Sequence, residues 1–142
     1  MPRVIINDSS ETELFTASNP GQVAVPSGTT ISIEQATVTL THYTGQKAAS
    51  GSNQIVAAPG AGTRIVVVSF MVQNASAVAT TVIMEDGTTD VFTALLQTQG
   101  AALSGSFLSG QEWRLSENAA LQVNLSAANS HNVNVSYFTE SV

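Results

Sequence analysis

The feature that most constrains this chain is a strict two-residue alternation of apolar and polar side chains. In Leu121–Ser126, the apolar residues Leu121, Val123 and Leu125 alternate with glutamine, asparagine and serine. A period of two puts alternate side chains on opposite faces of a strand, so this segment is predicted to be a half-buried strand. Val133–Tyr137 has the same pattern, and the residues between the two segments are small and turn-compatible. We predict that the two strands form an antiparallel hairpin.

A second strand signal comes from Arg64–Val72, a β-branched and aromatic run that is apolar on both faces. It predicts a central strand with one face on the core and the other against a second layer or another subunit. Further strands are predicted at Thr80–Glu85, Val91–Leu96, Leu103–Leu108 and Trp113–Leu115, with a turn at Asp86-Gly87. No useful helical periodicity is present, because Gly, Ser and Asn interrupt the Ala-rich pieces. The predicted fold class is all-β, a β-sandwich or jelly roll of antiparallel strands.

The first part of the chain has a looser pattern. Candidate strands there are Val4–Ile6, Glu13–Thr16, Thr30–Ile33 and Thr37–His42, separated by Pro- and Gly-containing turn clusters. The segment Gly45–Asn53 holds Gly, Ser and Ala with a lone lysine, which favours a linker. We therefore predict an N-terminal arm or set of extra strands at residues 1–51 and a β-sandwich domain at residues 52–142.

Composition limits the partners that such a chain can bind. Charged residues make up 10% of the 142 residues, against roughly 25% in an average soluble domain. The net charge is −6, and the four bases Arg3, Lys47, Arg64 and Arg114 form no stripe that would neutralise phosphates. We therefore expect no nucleic-acid partner. A surface of Ser, Thr, Asn, Gln and Gly favours oligomerisation, although Ser- and Thr-rich β-proteins also have this composition as monomers.

The absence of cysteine and of long apolar runs excludes further kinds of site and of membrane attachment. Without cysteine, thiol chemistry and Cys-based zinc sites are impossible. The apolar run at residues 4–6 is too short for a signal peptide, and no later stretch approaches membrane-spanning length. We expect a soluble protein that is made in the cytoplasm and has no membrane partner.

Few residues offer chemistry. The two histidines, His42 and His131, have no carboxylate near them in sequence, and no G-x-S-x-G elbow accompanies them. We expect them to have surface or strand-end roles. The acidic segment Glu85–Asp90 would offer oxygen ligands to Ca²⁺ but lacks the alternating pattern of an EF-hand loop, so a solvated hairpin turn is the preferred interpretation.

The remaining candidates are carboxylates and aromatic rings. Glu112 and Glu117 flank Trp113, but a glycosidase needs two acids at a defined separation in a cleft. Trp113, Tyr43 and Tyr137 have rings that stack on sugars in other proteins, although a core or interface position is the preferred interpretation. We therefore predict no catalytic residue, no metal site and no cofactor, and a chain that is not an enzyme.

Several motifs match a known class of virion protein. They are Ile55–Val67, the turn Asp86-Gly87-Thr88, Trp113 before an acidic patch, the strand Ala120–Ala127 and a closing Val-x-Val-x-Tyr strand. From Ile55 to about Phe138 the chain resembles a β-sandwich module of tailed-bacteriophage virion proteins, among them capsid decoration (cement) proteins. The chain has Asn118-Ala119-Ala120 where such modules often have glycine before the last hydrophobic strand.

The resemblance implies a structural protein on the exterior of a phage head. Its expected partners are the major capsid protein and two further copies of itself in a homotrimer, with residues 1–51 gripping neighbouring capsomers. Similar modules occur in fibres and tails, so the alternative is a receptor- or carbohydrate-binding module in which Tyr43 or Trp113 stacks on a glycan. A hydrolase is the third hypothesis, and no motif supports it.

Overall fold

The computed structural model of the chain describes residues 3–6, 31–34 and 38–142. The chain divides into two compact units, Met1–Val38 and Thr39–Val142. In the first unit, β1 (Arg3–Ile6) pairs antiparallel with β2 (Ile31–Glu34). Both strands agree with the predicted ones to within a residue or two, whereas the strand predicted at Glu13–Thr16 lies outside the described residues.

The second unit consists of strands, and its residues contain no helix. The strands are β3 (Thr41–Lys47), β4 (Gly51–Val56), β5 (Thr63–Asn74), β6 (Thr80–Asp86), β7 (Thr89–Leu96), β8 (Ala102–Ser106), β9 (Trp113–Arg114), β10 (Leu121–Leu125) and β11 (His131–Ser141). All of their pairings are antiparallel. The predicted all-β class is confirmed, and β5 to β10 begin and end close to the predicted segments. β11 is longer than the predicted Val133–Tyr137 and extends to Ser141.

These strands form two sheets that pack face to face. A five-stranded sheet has the order β3-β11-β5-β8, with the short β9 also pairing with β5, and a four-stranded sheet has the order β4-β10-β6-β7. The eight strands other than β9 can be numbered 1 to 8 along the chain, from β3 to β11. The strand order is then 1-8-3-6 in the five-stranded sheet and 2-7-4-5 in the four-stranded sheet. This interleaving is the strand order of a jelly roll, in which consecutive strands lie in opposite sheets except for one hairpin, here β6–β7.

The core lies between the two sheets and is built by the period-two alternation. Leu121, Val123 and Leu125 of β10 are at most 1% exposed and face Val133 and Val135 of β11 across the sandwich. Burying each such side chain stabilises the fold by about 1.5–3 kcal/mol relative to leaving it in water. The polar partners in each alternation therefore lie on the outward faces of the sheets.

An aromatic cluster fills one region of this core. Trp113 meets Phe92 edge to face at a centroid distance of 5.1 Å and Phe70 at 6.1 Å, and Phe107 lies 6.1 Å from Phe92. Edge-to-face pairs at these distances are worth about 0.5–1.5 kcal/mol beyond the area they bury. The cluster ties β5 and β9 of the five-stranded sheet, and the residue after β8, to β7 of the four-stranded sheet.

The predicted hairpin between β10 and β11 is wrong. β10 pairs with β4 and β6, whereas β11 pairs with β3 and β5, so the two strands lie in different sheets. Residues 126–130 cross the end of the sandwich instead of turning within one sheet. The alternation correctly located both buried faces, but two strands that bury one face against a common core need not be hydrogen-bonded to each other.

The predicted linker Gly45–Asn53 is also wrong. Its first residues end β3 in the five-stranded sheet and its last residues begin β4 in the four-stranded sheet. Asn53 closes the short connection, because its side-chain amide donates to the carbonyls of Ala49 and Gly51 at 2.7 and 2.8 Å. The compact unit begins at Thr39, so the boundary placed between residues 51 and 52 falls within β4.

The Asn118-Ala119-Ala120 segment makes the turn that leads into β10. Asn118 has φ 54°, the one non-glycine residue with positive φ in the described part of the chain. Asparagine tolerates this left-handed conformation better than most residues. Its side-chain oxygen accepts the Gly60 N–H at 2.9 Å, and its own N–H donates to the Thr63 carbonyl at 2.9 Å.

Candidate functional site

The outward face of the five-stranded sheet carries rows of small polar side chains. In one row His42 lies opposite Ser136, Ser136 opposite Ser69, and Ser69 opposite Ser106. They lie on the outward face because their chain neighbours Tyr43, Val135 and Phe70 pack against the core. In the next row Thr44 lies opposite Asn134, Asn134 opposite Met71, and Met71 opposite Ser104.

A ladder of amides closes one end of this face. Gln46 donates through Nε2 to Asn132 Oδ1 at 3.1 Å, Asn132 donates to Gln73 Oε1 at 3.5 Å, and Gln73 donates to the Gly100 carbonyl at 3.5 Å. The ladder forms because register pairing places these three amides side by side on neighbouring strands. A chain of mutually bonded amides holds the side chains in fixed orientations.

The two rows line an open depression, which we call the polar groove. Its volume is about 440 Å³, and its lining includes His42, Thr44, Ser69, Ser104, Asn134 and Ser136. This volume lies within the range of about 300–1,000 Å³ that is typical of small-molecule sites.

The histidines are on opposite faces of this sheet. His42 is exposed on β3, and its Nδ1 lies 2.9 Å from Ser136 Oγ. His131 begins β11, is fully buried, and its Nδ1 lies 2.8 Å from the Asn129 carbonyl, which requires the hydrogen to be on Nδ1. The surface and strand-end positions expected for the two residues are confirmed.

The pair His42 and Ser136 lacks the other parts of a nucleophilic site. In Ser-His sites a third group orients the imidazole, usually a carboxylate. Within the described residues the one hydrogen-bond partner of His42 is Ser136. The contact therefore supplies a hydroxyl and an imidazole to the polar groove without the orienting group that would activate the serine.

The acidic segment forms the predicted β6–β7 hairpin, but the hairpin is not solvated throughout, and its carboxylates diverge. Glu85 is 3% exposed and accepts a hydrogen bond from Asn124 Nδ2 at 2.8 Å, whereas Asp86 Oδ2 accepts from the N–H and hydroxyl of Ser116. Successive strand residues face opposite sides of a sheet, so these two carboxylates do not converge. The described residues contain no group of three His, Asp or Glu that would hold a metal ion.

Glu112 and Glu117 stabilise separate loops and do not form a carboxylate pair. Glu117 Oε1 accepts the Gly62 N–H at 2.6 Å, while both Glu112 oxygens accept the Gly110 N–H at 2.9 and 3.0 Å. The backbone N–H groups of Glu112 itself and of Gly110 hold the pKa of the Glu112 carboxyl below its ordinary value of 4.5, and the positive charge of Arg114 acts in the same direction.

The arginines of the sandwich are engaged in ion pairs at the other end of the five-stranded sheet. Arg64 Nε lies 2.8 Å from Glu140 Oε1, and Arg114 bridges Glu140 and Glu112 at 3.2 Å each. All four side chains are partly exposed, so each pair contributes little to stability. As a result, both guanidinium groups have carboxylate partners.

The aromatic residues that were candidates for sugar stacking face the core. Trp113 is 9% exposed within the aromatic cluster, and Tyr137 packs against the core from β11. Tyr43 also packs on the core, and its ring is covered on one side by Lys47, whose Nζ lies 5.4 Å from the ring centroid. Trp113 therefore has no exposed ring face for the glycan of the alternative hypothesis, and Tyr43 is a half-buried ring packed between the core and Lys47.

Sequence reasoning missed the polar groove. Its side chains come from four strands that are far apart in the chain, and no motif joins them. The signal available was the set of serines and asparagines at alternate positions of the predicted strands, which marks the outward faces without giving their neighbours.

No protein-family model matches the chain, and no curated protein matches it. Among the described residues, no helix has the length and apolar character needed to cross a bilayer.

Proposed function

We propose that the chain is a structural virion protein, a capsid decoration protein that binds the outer surface of a tailed-phage head. The observation that carries the proposal is the division into a jelly-roll body, Thr39–Val142, and a separate N-terminal unit with its own strand pair. A body with a separate unit suits a protein that grips one neighbour while resting on another. The motif resemblance from Ile55 to about Phe138 supports the same assignment.

The charges of the body favour a position away from packaged DNA. Arg64 and Arg114 are paired with glutamates, and Lys47 lies over the Tyr43 ring. The described residues thus present no cluster of free cations, while the whole chain carries a net charge of −6. Such a surface is repelled by DNA phosphates, which suits the exterior of the shell.

Stabilisation of the head follows from mass action. A protein that binds the assembled shell and not the free capsid subunits shifts the equilibrium toward the shell. Three copies around a three-fold position multiply this effect, because each further contact is made at a high effective concentration. The proposed partners are therefore the major capsid protein and two further copies of the chain.

The test is binding to expanded capsids of the phage that encodes the chain. The full chain is expected to sediment alone as a trimer, to co-sediment with the capsids and to raise the temperature at which they release DNA. A chain of residues 39–142 is expected to remain folded by circular dichroism and to lose most of the binding, because the N-terminal unit provides the grip.

Two results would contradict this proposal. If the full chain does not bind capsids and instead labels fibres or tails in immunogold micrographs, it is not a decoration protein. If residues 39–142 bind as tightly as the full chain, the body and not the N-terminal unit makes the capsid contact.

A further inference from the structure

The polar groove has unused hydrogen-bonding capacity. Within the described residues, no side-chain hydrogen bond is made by Thr44, Ser69, Ser104, Ser106 or Asn134. Each hydroxyl both donates and accepts, and the asparagine amide adds donors and an acceptor on adjacent atoms. The groove therefore presents closely spaced hydrogen-bond donors and acceptors, which a ligand rich in hydroxyl groups requires.

The groove is also free of formal charge. Neither of its two rows contains Asp, Glu, Lys or Arg, and the nearest charged cluster surrounds Glu140 at the far end of the sheet. A phosphate, sulfate or carboxylate ligand needs a cationic partner such as arginine. The groove lacks this partner, so its chemistry favours an uncharged ligand.

One outward apolar side chain lines the groove, and an aromatic ring lies next to it along β11. Met71 lines the groove. Phe138 lies outside the lining, two residues after Ser136 and past a shift in the β11–β5 register, on the outward side of β11. Phe138 is half-buried and does not belong to the core cluster. An aromatic ring beside hydroxyl and amide groups is suited to an amphipathic ring.

A protein partner fits this surface less well. The energetic centres of protein interfaces are large buried Trp, Tyr and Arg side chains. None of the outward-facing side chains of the groove is of these types, since Tyr43, which also lines it, packs against the core. The central strands β11 and β5 are paired on both sides, whereas β3 and β8 are edge strands. A strand from a partner can therefore add to the sheet only along the outer edge of β3 or β8, beside the groove.

We propose that the polar groove is a binding site for a neutral glycan. Hydroxyl groups of the sugar would replace water on Ser69, Ser104 and Asn134, and the sugar ring would pack on Met71 and extend to Phe138 beside the groove. This site lies within the body and goes beyond the proposed capsid function, since it would allow a head-bound protein to hold the particle on a polysaccharide surface.

The experiment uses the full chain labelled with ¹⁵N. The probes are dextran, galactomannan, yeast mannan and a neutral rhamnose polymer, with dextran sulfate as the charged comparison. At least one neutral polymer is expected to retard the chain in affinity electrophoresis and to shift amide signals of residues 42–44, 69–71, 104–106 and 134–138. Dextran sulfate is expected to do neither.

Matched variants locate the site. Ser104→Lys places a long charged side chain on an exposed position of β8 inside the groove and should weaken binding at least about tenfold, equivalent to about 1.4 kcal/mol. Thr93→Lys makes the same kind of change at an exposed position of β7 in the other sheet and should leave affinity unchanged. Phe138→Leu keeps an apolar side chain but removes the ring, so a several-fold loss is expected.

Other outcomes overturn the proposal. They are the absence of retardation by all four neutral polymers, stronger retardation by dextran sulfate, amide shifts confined to other faces, or equal losses from Ser104→Lys and Thr93→Lys. None of these outcomes bears on capsid binding, so the two proposals fail independently.

Discussion

Asn118 holds the backbone in a left-handed conformation at the turn before β10. A residue with a Cβ at φ 54° costs about 1–2 kcal/mol relative to the right-handed form, and asparagine pays less than alanine. Asn118→Ala should therefore lower the free energy of unfolding by about 1–2 kcal/mol. The measurement is urea unfolding followed by the fluorescence of Trp113, the single tryptophan.

Asn118→Gly separates the two contributions of this residue. Glycine adopts the positive φ at no steric cost but lacks the side-chain oxygen that accepts the Gly60 N–H. It should lie between the natural chain and Asn118→Ala in stability. If the alanine and glycine variants are equally stable, the backbone conformation is not the source of the effect.

Glu112 gives the fold a specific dependence on pH. Its pKa is lower in the folded chain than the ordinary value of 4.5, so folding releases a proton in the window between the two values. The stabilisation is present above about 4.5 and disappears as the pH falls through the folded value. Glu112→Gln should lower Tm at pH 7, and the difference between the two chains should shrink toward zero as the pH is lowered through this window.

Salt distinguishes the causes of that shift. The backbone N–H groups are the largest cause and Arg114 is a smaller one. Because 1 M salt screens exposed charges beyond about 3 Å, it should reduce the Tm difference at pH 7 only in part. A difference that salt abolishes would mean that the ion pair dominates, and a difference that stays constant down to pH 3 would contradict the titration of Glu112.

At the scale of the strand, two glycines lie beneath aromatic rings at the edges of the five-stranded sheet. A Cβ on Gly105 would lie 2.6 Å from Cε1 of Phe70, which is 4% exposed and held in the aromatic cluster. A Cβ on Gly45 would lie 2.6 Å from the hydroxyl oxygen of Tyr43, the far end of a partly buried side chain. Gly105→Ala should therefore cost about 1–3 kcal/mol and Gly45→Ala clearly less.

Urea unfolding of both variants checks this ranking. Gly105→Ala should also alter the emission of native Trp113, because the Phe70 ring that it displaces lies 6.1 Å from the indole. Gly45→Ala should leave that emission unchanged. An equal loss of stability in the two variants would show that the Phe70 ring is held no more firmly than the Tyr43 ring.

The local sequence pattern predicted the positions of the strands but not how they pair. β10 and β11 were located by alternation and β5 by its β-branched run, because burial of one or both faces leaves its mark on consecutive residues. Strand pairing leaves no such mark, which is why β10 and β11 were predicted as a hairpin although they lie in opposite sheets. The linker predicted at Gly45–Asn53 was wrong for the same reason. The sequence does not distinguish a glycine packed beneath the Tyr43 ring from a glycine in a flexible linker.

The polar groove belongs to the scale of the whole molecule. Ser69, Ser104 and Asn134 become neighbours only after β5, β8 and β11 have aligned in one register. A slip of a single residue would turn the same side chains into the core. The sequence could identify an outward polar face on each strand, but the composition of the groove follows from the order β3-β11-β5-β8.

The same dependence on strand order predicts where the chain can be shortened. Removing residues 1–38 leaves every strand of the jelly roll in place, whereas removing residues 1–51 also deletes β3 and exposes the edge of β11 from His131 to Tyr137. An unpaired edge both loses ladder hydrogen bonds and invites aggregation. In urea unfolding followed by Trp113 fluorescence, residues 39–142 should give one cooperative transition. Residues 52–142 should unfold at lower urea or elute as aggregates in gel filtration, and equal stability of the two shortened chains would mean that β3 is not an integral part of the sandwich.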